Sequence, residues 1–210
     1  MVVILVLLAL NIMGIFLEYQ YDNFYVNQVF SFLDFDTEDS VPTVFSFLLL
    51  FVIAIILFVI HQFYSIKKYS KHWLILSLVF FFLSFDEIIS IHENFIPLLK
   101  RFKFTGLFYF SWIIPYAIFV IILFIYYFPF LLGLPKKNAI RFILSGIIYI
   151  AGAIGIEGFE GMYFEKHGYD LNFSLLYTIE EFLEMIGLSL FLFSIIEFKF
   201  DNFTIQLVKK

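Results

Sequence analysis

The chain has 210 residues, of which 62% are hydrophobic and 23% aromatic, and its formal net charge is -5. A water-soluble domain of this length cannot bury so much apolar surface, so the composition predicts a multi-pass membrane protein with the lipid bilayer as its main partner. The absence of cysteine excludes disulfides, thiolate metal sites and cysteine nucleophiles, and the lack of a basic patch excludes nucleic acid as a partner.

Long apolar runs separated by short polar connections predict an all-α fold, a polytopic bundle of six transmembrane helices that forms a single membrane domain over residues 1–210. The predicted spans lie at about residues 2–17, 44–64, 73–94, 110–134, 140–162 and 174–196. The first run is interpreted as a retained span, because it has neither a basic region before it nor a small-residue cleavage site.

An acidic, tyrosine-rich segment at residues 18–43 is predicted to be an extracytoplasmic loop between the first two spans. Its residues 34–38 have the spacing of the start of a calcium loop, but the turn glycine and the closing glutamate are absent. We therefore expect a solvated acidic loop there.

The distribution of basic residues predicts the orientation. With six spans, nine Lys or Arg residues lie in the loops at 65–72 and 135–141 and in the C-terminal tail, and four lie on the opposite side. The positive-inside rule makes the side with nine cytoplasmic, which places both termini in the cytoplasm.

The outer end of the third span carries several polar groups. Asp86, Ser90 and Glu93 fall on one helical stripe and Glu87 lies at its edge. A charged side chain costs about 2.5 to 3.5 kcal/mol at the centre of a membrane helix, so such residues face a bundle interior and serve a function. His92 points elsewhere on an ideal helix, but unwinding of the last turn would bring it round.

The fifth and sixth spans carry acids at the same predicted depth. Glu157 and Glu160 lie one turn apart at the outer end of span five. On span six, one helical stripe contains Tyr177, Glu180 and Glu184, and Glu181 lies beside this stripe. We therefore expect three spans to form one carboxylate-rich pocket in the outer half of the bilayer.

Glycines accompany these acids and would allow close helix approach. They are Gly152, Gly155, Gly158, Gly161 and Gly187. For Gly152 and Gly155, tight packing alone is the better explanation.

No Lys or Arg lies within a span core to neutralise the pocket, so the acids must be protonated or must bind a cation. Carboxylates with one imidazole suit divalent ions such as Mg, Mn, Ca, Zn or Fe(II). The predicted metal ligands are Asp86, His92, Glu93, Glu157, Glu160, Glu180 and Glu184, supported by Glu87, Tyr177 and Glu181. The Glu-x-x-His pairs of di-iron helical bundles are absent, which argues against a di-iron site.

Three functions remain open. The first is a metal-dependent enzyme acting on a lipid or another lipophilic substrate, with a spare carboxylate as general base. The second is a proton- or cation-coupled transporter, although the inner halves of spans four and six offer few polar groups for a conduit. The third is a non-catalytic accessory subunit whose acids bind a basic segment of a partner membrane protein.

The polar motifs also carry a resemblance. Phe-Leu-Ser-Phe-Asp86-Glu87 with His92-Glu93, then Gly155-x-Glu157, then Glu180-Glu181-x-Leu-Glu184-Met-x-Gly187 resemble, over residues 73–197, a family of uncharacterised prokaryotic multi-pass membrane proteins. The first span and the acidic loop lie outside this likeness. The resemblance implies that the motifs act as a unit in a prokaryotic plasma membrane, and it implies no particular reaction.

Overall fold

The computed structural model describes the backbone of residues 1–21, 24–63 and 67–208, and the side chains of 1–21, 28–63 and 69–198. The predicted cytoplasmic Lys209 and Lys210 lie outside the described residues.

Within the described residues the fold is all-α, as predicted, with nine α-helices and no strand. The helices are α1 Val2–Tyr21, α2 Phe24–Ser31, α3 Val41–Phe63, α4 Lys67–Ile89, α5 Phe95–Leu99, α6 Ile113–Leu132, α7 Lys136–Ile150, α8 Glu157–His167 and α9 Leu171–Val208. Three short 3₁₀ turns lie between α4 and α6, and a π-helical segment, Ala151–Ile156, joins α7 to α8.

Five segments of the described chain are long and apolar enough to cross a membrane. They are α1, α3, the Tyr69–Ile89 part of α4, α6, and the continuous stretch Lys136–His167. This finding is consistent with an integral membrane protein, but the predicted count of six spans is not confirmed. The sixth predicted span lies in α9, where Glu180, Glu181 and Glu184 interrupt the apolar sequence.

Several element bounds differ from the prediction. The segment 18–43 is largely helical instead of an open loop, because α1 extends to Tyr21 and α2 follows it. The sequence predicts that the third span reaches Asn94, whereas α4 ends at Ile89. Ser90 adopts a left-handed backbone with φ of 50°, which stops the helix there.

The central element of the bundle is α9, which packs against α1, α3, α7, α8 and the π-helical segment. At one end its residues join a core that includes Leu57, Trp73 and Phe142. At the other end they join a core formed with Ile4 and Phe35. One helix therefore holds together the two ends of the molecule.

Two glycines bring α9 against the α7 and π-helical backbones. A Cβ atom on Gly187 would lie 2.7 Å from the backbone nitrogen of Tyr149, and one on Gly152 would lie 2.7 Å from the carbonyl oxygen of Glu180. A Cβ atom on Gly155 would meet its nearest neighbour only at 3.9 Å. The close approach at Gly152 and Gly187 sets the acids of α8 beside those of α9.

Candidate metal centre

A cavity of about 680 Å³ lies between α4, α6, the α7–α8 unit and α9, and residues Phe35–Glu38 cover one side of it. All ten side chains that the sequence singled out as ligands or supporting groups line it. Two acids from the covering segment, Asp36 and Glu38, join them. Among the described residues, no Lys or Arg lines this cavity, so its walls are strongly negative.

Three glutamates form the tightest group in the cavity. Each of Glu157, Glu160 and Glu180 offers one carboxylate oxygen, and these three oxygens lie within 4.8 Å of one another. Glu160 and Glu180 are only 3% and 7% exposed. The Oε2 atom of Glu180 accepts no hydrogen bond from an N–H or hydroxyl group among the described residues, and the Glu180 carboxyl group faces those of Glu157 and Glu160. This glutamate trio is the set that can hold a divalent cation.

The π-helical segment explains how the trio forms. It lies directly before Glu157, the first residue of α8, and Glu160 follows one turn later. A π-helical turn is wider than an α-helical one and is frequently found at functional sites, since it redirects the side chains that follow it. Trp112 helps to fix the Glu157 side chain, because its Nε1 donates a 3.0 Å hydrogen bond to Oε1 of Glu157.

Asp86 and His92 form a second group. The backbone nitrogen of His92 donates to Oδ1 of Asp86 at 2.8 Å, and the ring Nδ1 lies 3.3 Å from the same oxygen. The hydroxyl of Tyr116 donates to Oδ2 of Asp86 at 2.8 Å. Both oxygens of Asp86 are therefore engaged within the chain, and Asp86 orients His92.

The way in which α4 ends allows Asp86 and His92 to meet. Ser90 donates its hydroxyl to Glu38, and Asn94 donates its side-chain amide to the carbonyl oxygen of Ser90. The chain after α4 thus turns back and places His92 against Asp86. The sequence allows for such an unwinding of the last turn. With a proton on Nδ1 facing Asp86, Nε2 carries a lone pair that can bind a metal or a proton.

His92 and Asp36 line the cavity outside the membrane-spanning segments, and both have raised pKa values. Burial lowers the pKa of His92, but its hydrogen bond to Asp86 and the charges of Asp86, Glu157 and Glu93 outweigh burial and raise the pKa above its ordinary value. Burial, together with the charges of Asp34, Glu157 and Glu93, raises the pKa of Asp36 to about 7. Both shifts reflect the excess of carboxylates around the cavity.

The remaining predicted ligands lie apart from the trio. Glu184 accepts a hydrogen bond from Tyr149 and interacts with the charge of Glu87, so it belongs to a deeper acidic group together with Glu181. Glu93 is exposed, on the 3₁₀ turn that follows α4. The structure therefore divides the seven predicted ligands among the trio, the Asp86–His92 pair, a deeper acid and an exposed one.

Tyr177 lies at the covered side of the cavity. It is buried and its hydroxyl hydrogen-bonds to Asp34 of the covering segment. The buried Asn11 of α1 holds the same segment, because it accepts from the backbone nitrogen of Phe35 at 3.1 Å and donates to Thr178 at 2.8 Å. The acidic residues expected to be solvated are thereby drawn over the cavity.

Sequence reasoning missed the aromatic residues of the site and the role of Asp36. Trp112 and Tyr116 lie one turn apart at the outer start of α6, a spacing that could have indicated a polar aromatic face near Asp86. No comparable pattern marks Asp36, whose place depends on contacts with α1 and α9.

Comparison with known proteins agrees with the expectation of an uncharacterised family. No curated protein and no solved structure matches the chain. A family model matches residues 1–198, so the match includes the first span and the acidic segment that the motif resemblance left out. The chain belongs to the family described as Domain of unknown function (DUF8692).

Proposed function

We propose that this protein is an integral membrane protein that binds a divalent metal ion at Glu157, Glu160 and Glu180 and acts as a metal-dependent enzyme on a lipid or another lipophilic substrate. The observation that carries the proposal is the convergence of three carboxylate oxygens within 4.8 Å. In the same group, a buried oxygen of Glu180 accepts no hydrogen bond from an N–H or hydroxyl group of the described residues.

Electrostatics favour an ion at this place. Several carboxylates face one another in a cavity whose described lining offers no Lys or Arg, and such a group is costly in low dielectric unless protons or a cation compensate it. Oxygen-only ligands favour Mg²⁺, Ca²⁺ or Mn²⁺. Addition of the His92 ring to the trio would extend the choice to Zn²⁺ or Fe²⁺.

The chemistry would be shared between the ion and the side chains around it. A bound divalent ion would polarise a carbonyl or phosphoryl oxygen and acidify a coordinated water. His92, held by Asp86 through Nδ1, would add its Nε2 to the three glutamates as a further ligand, and a carboxylate that does not bind the ion would act as the general base. Trp112 packs on the His92 ring with centroids 4.6 Å apart, which limits rotation of the imidazole.

We also propose that α9 is a sixth crossing and that both termini are cytoplasmic. Near one end of α9, Glu197 pairs with Lys137 and Arg141 at the start of α7. Near the other end, Asp170 accepts from the hydroxyl of Tyr163 in α8. From Leu171 to Glu197 the helix rises about 39 Å, enough to cross a hydrocarbon core of about 30 Å.

Transport and an accessory role have less support. Beyond Glu87 and Glu184 the described lining of the cavity is mainly aliphatic and aromatic, whereas a conduit needs polar groups on both sides of its central site. A cavity that is polar at one end suits an amphiphilic substrate better than a passing ion.

Elemental analysis of the purified protein, combined with melting curves with and without a chelator, tests the proposal. We expect a stoichiometric divalent metal whose removal lowers the melting temperature, and loss of both effects in Glu160→Gln and Glu180→Gln. Glu165→Gln is the matched control, because Glu165 is exposed and an amide oxygen can still accept from Gly106. The proposal would be overturned by a metal-free wild-type protein whose melting temperature does not change when divalent ions are added.

A further inference from the structure

The cavity changes character along its length. The carboxylates and His92 lie towards one end, and the other end is lined mainly by apolar side chains of α4, α6 and α7, joined by Tyr127 and Tyr149. The apolar residues include Leu76, Phe80, Phe119, Leu123, Phe124 and Gly146. We call this part the apolar arm.

The apolar arm continues into a second cavity of about 180 Å³. The two cavities share Leu76, Phe80, Tyr127, Gly146 and Tyr149 as lining residues. The second cavity ends against a group of aromatic side chains, which are Phe130, Phe142 and Phe191. Together the two cavities run from the glutamate trio to the aromatic core around Trp73.

The length of the arm corresponds to one leaflet of a bilayer. Along α4, the eleven-residue step from Leu76 to Glu87 rises about 16 Å. A hydrocarbon core of about 30 Å allots roughly 15 Å to the chains of each leaflet. A single acyl chain therefore matches the distance between the deeper acids and the closed end.

The wall formed by α6 is open towards the bilayer side. In its middle, Phe119 and Phe124 line the cavity and are nevertheless 40% and 55% exposed. The buried residues of α6 lie near its ends, at Ile113, Tyr127 and Phe130. A chain can thus enter the arm sideways from lipid, past the middle of α6.

We infer that the ligand of this cavity is an amphiphile with one hydrocarbon chain of about a leaflet's length. The chain lies in the apolar arm and the polar head lies at Glu157, Glu160 and Glu180. This inference rests on the proposed function, since it names the substrate class of the same site.

Gly146 offers a way to close the arm without touching the acids. It lines both cavities, and a Cβ atom built on it meets nothing within 4 Å. Gly146→Trp should fill the arm. Ile147→Trp is the matched control, because Ile147 is 57% exposed on the outer side of the same helix.

The test is photolabelling of the detergent-purified protein with amphiphiles that carry a diazirine at the chain end. Three head groups are used: a lysophosphatidylcholine, a monoacylglycerol and an alkylamine. We expect at least one probe to label the peptides containing Phe130, Phe142 or Phe191. This labelling should be lost in Gly146→Trp and kept in Ile147→Trp, with the metal content equal in all three proteins.

Labelling confined to outward-facing residues of α6, labelling unchanged in Gly146→Trp, or no labelling of the arm by any probe would each overturn the inference. Metal analysis on the same samples separates the two proposals. Bound metal without labelling of the arm refutes the chain site and keeps the metal site. Labelling of the arm in a metal-free protein refutes the metal site and keeps the chain site.

Discussion

At the scale of single residues, the roles of the acids depend on which oxygens already have partners. Asp86 uses both of its carboxylate oxygens within the chain, on His92 and Tyr116. Glu180 has a buried oxygen that accepts from no N–H or hydroxyl group of the described residues. We therefore propose a positioning role for Asp86 and a ligand role for Glu180, both of which the sequence predicts as ligands.

Asp86→Asn tests the positioning role. An amide carries no charge and has one acceptor oxygen in place of two, so the variant loses the charge that attracts His92 and presents an N–H donor where Asp86 accepts from Tyr116. Loss of a group that orients a metal-binding histidine typically weakens metal binding by about 10- to 100-fold. Titration of metal-free protein with Mn²⁺ or Zn²⁺ should show this loss, and Tyr116→Phe should show a smaller one. Wild-type affinity in Asp86→Asn would contradict the role.

Asp36 should make stability depend on pH. Its pKa is raised from 3.8 to about 7, so the folded protein holds this proton more tightly than the unfolded chain does. The stabilisation is fully present below pH 3.8 and is lost as the pH rises through about 7. In the presence of chelator, the melting temperature of Asp36→Asn should therefore fall less between pH 5 and pH 8 than that of the wild type.

Asp39→Asn is the control for this measurement, because Asp39 is exposed in the same segment, as Asp36 is, but does not line the cavity. Parallel pH curves for the wild type and Asp36→Asn would show that Asp36 titrates normally.

At the scale of the elements, the site depends on how closely α9 approaches α7 and the π-helical segment. Gly152 and Gly187 leave no room for a Cβ atom at this crossing. The π-helical segment directly precedes α8 and orients its first turn, where Glu157 and Glu160 lie close to Glu180. Helix contact and glutamate geometry are thus parts of one arrangement.

Gly187→Ala should destabilise the protein. Its Cβ atom would lie 2.7 Å from a backbone nitrogen of Tyr149, and backbone cannot yield as a flexible side chain can. Overpacking of this kind costs about 1 to 3 kcal/mol. Gly146→Ala, whose Cβ atom meets nothing within 4 Å, should be neutral or more stable by up to about 1 kcal/mol. Denaturant titration in detergent compares the two, and equal stability would contradict the close approach.

At the scale of the whole molecule, α9 links the charged ends of the bundle. It pairs with Lys137 and Arg141 near one end and with α8 near the other. It therefore spans the same length of the bundle as the stretch Lys136–His167. The acids in its middle face the cavity and not the surrounding lipid. We propose that this placement allows α9, with three glutamates in its middle, to cross a bilayer.

Topology mapping tests the sixth crossing. The natural chain has no cysteine, so Lys136→Cys and Tyr169→Cys each give one labelling site, and a reporter can be fused after Lys210. We expect Tyr169→Cys to react with an impermeant reagent from outside, Lys136→Cys to be protected, and the reporter to be cytoplasmic. A reporter on the same side as Tyr169→Cys would mean that α9 does not cross.

Much of the fold and of the site followed from the sequence, because both depend on local regularities. Apolar runs of membrane length predicted the helices, and helical spacing placed Glu157 with Glu160 and Glu180 with Glu184. The lack of Lys and Arg in the spans predicted an uncompensated acidic pocket, and the described lining of the cavity agrees. The sixth span, which the sequence predicts at about residues 174–196, stays a prediction, because Glu180, Glu181 and Glu184 interrupt the apolar sequence of α9.

The sequence by itself determined the class of protein, its helices and the acids that gather in one cavity, because hydropathy and helical periodicity act over short distances. Only the tertiary structure decided which acids act together. That choice depends on the left-handed Ser90, the π-helical turn before Glu157 and the close approach at Gly187. Each of these positions side chains through contacts between segments distant in sequence, and spacing along one helix carries no information about such contacts.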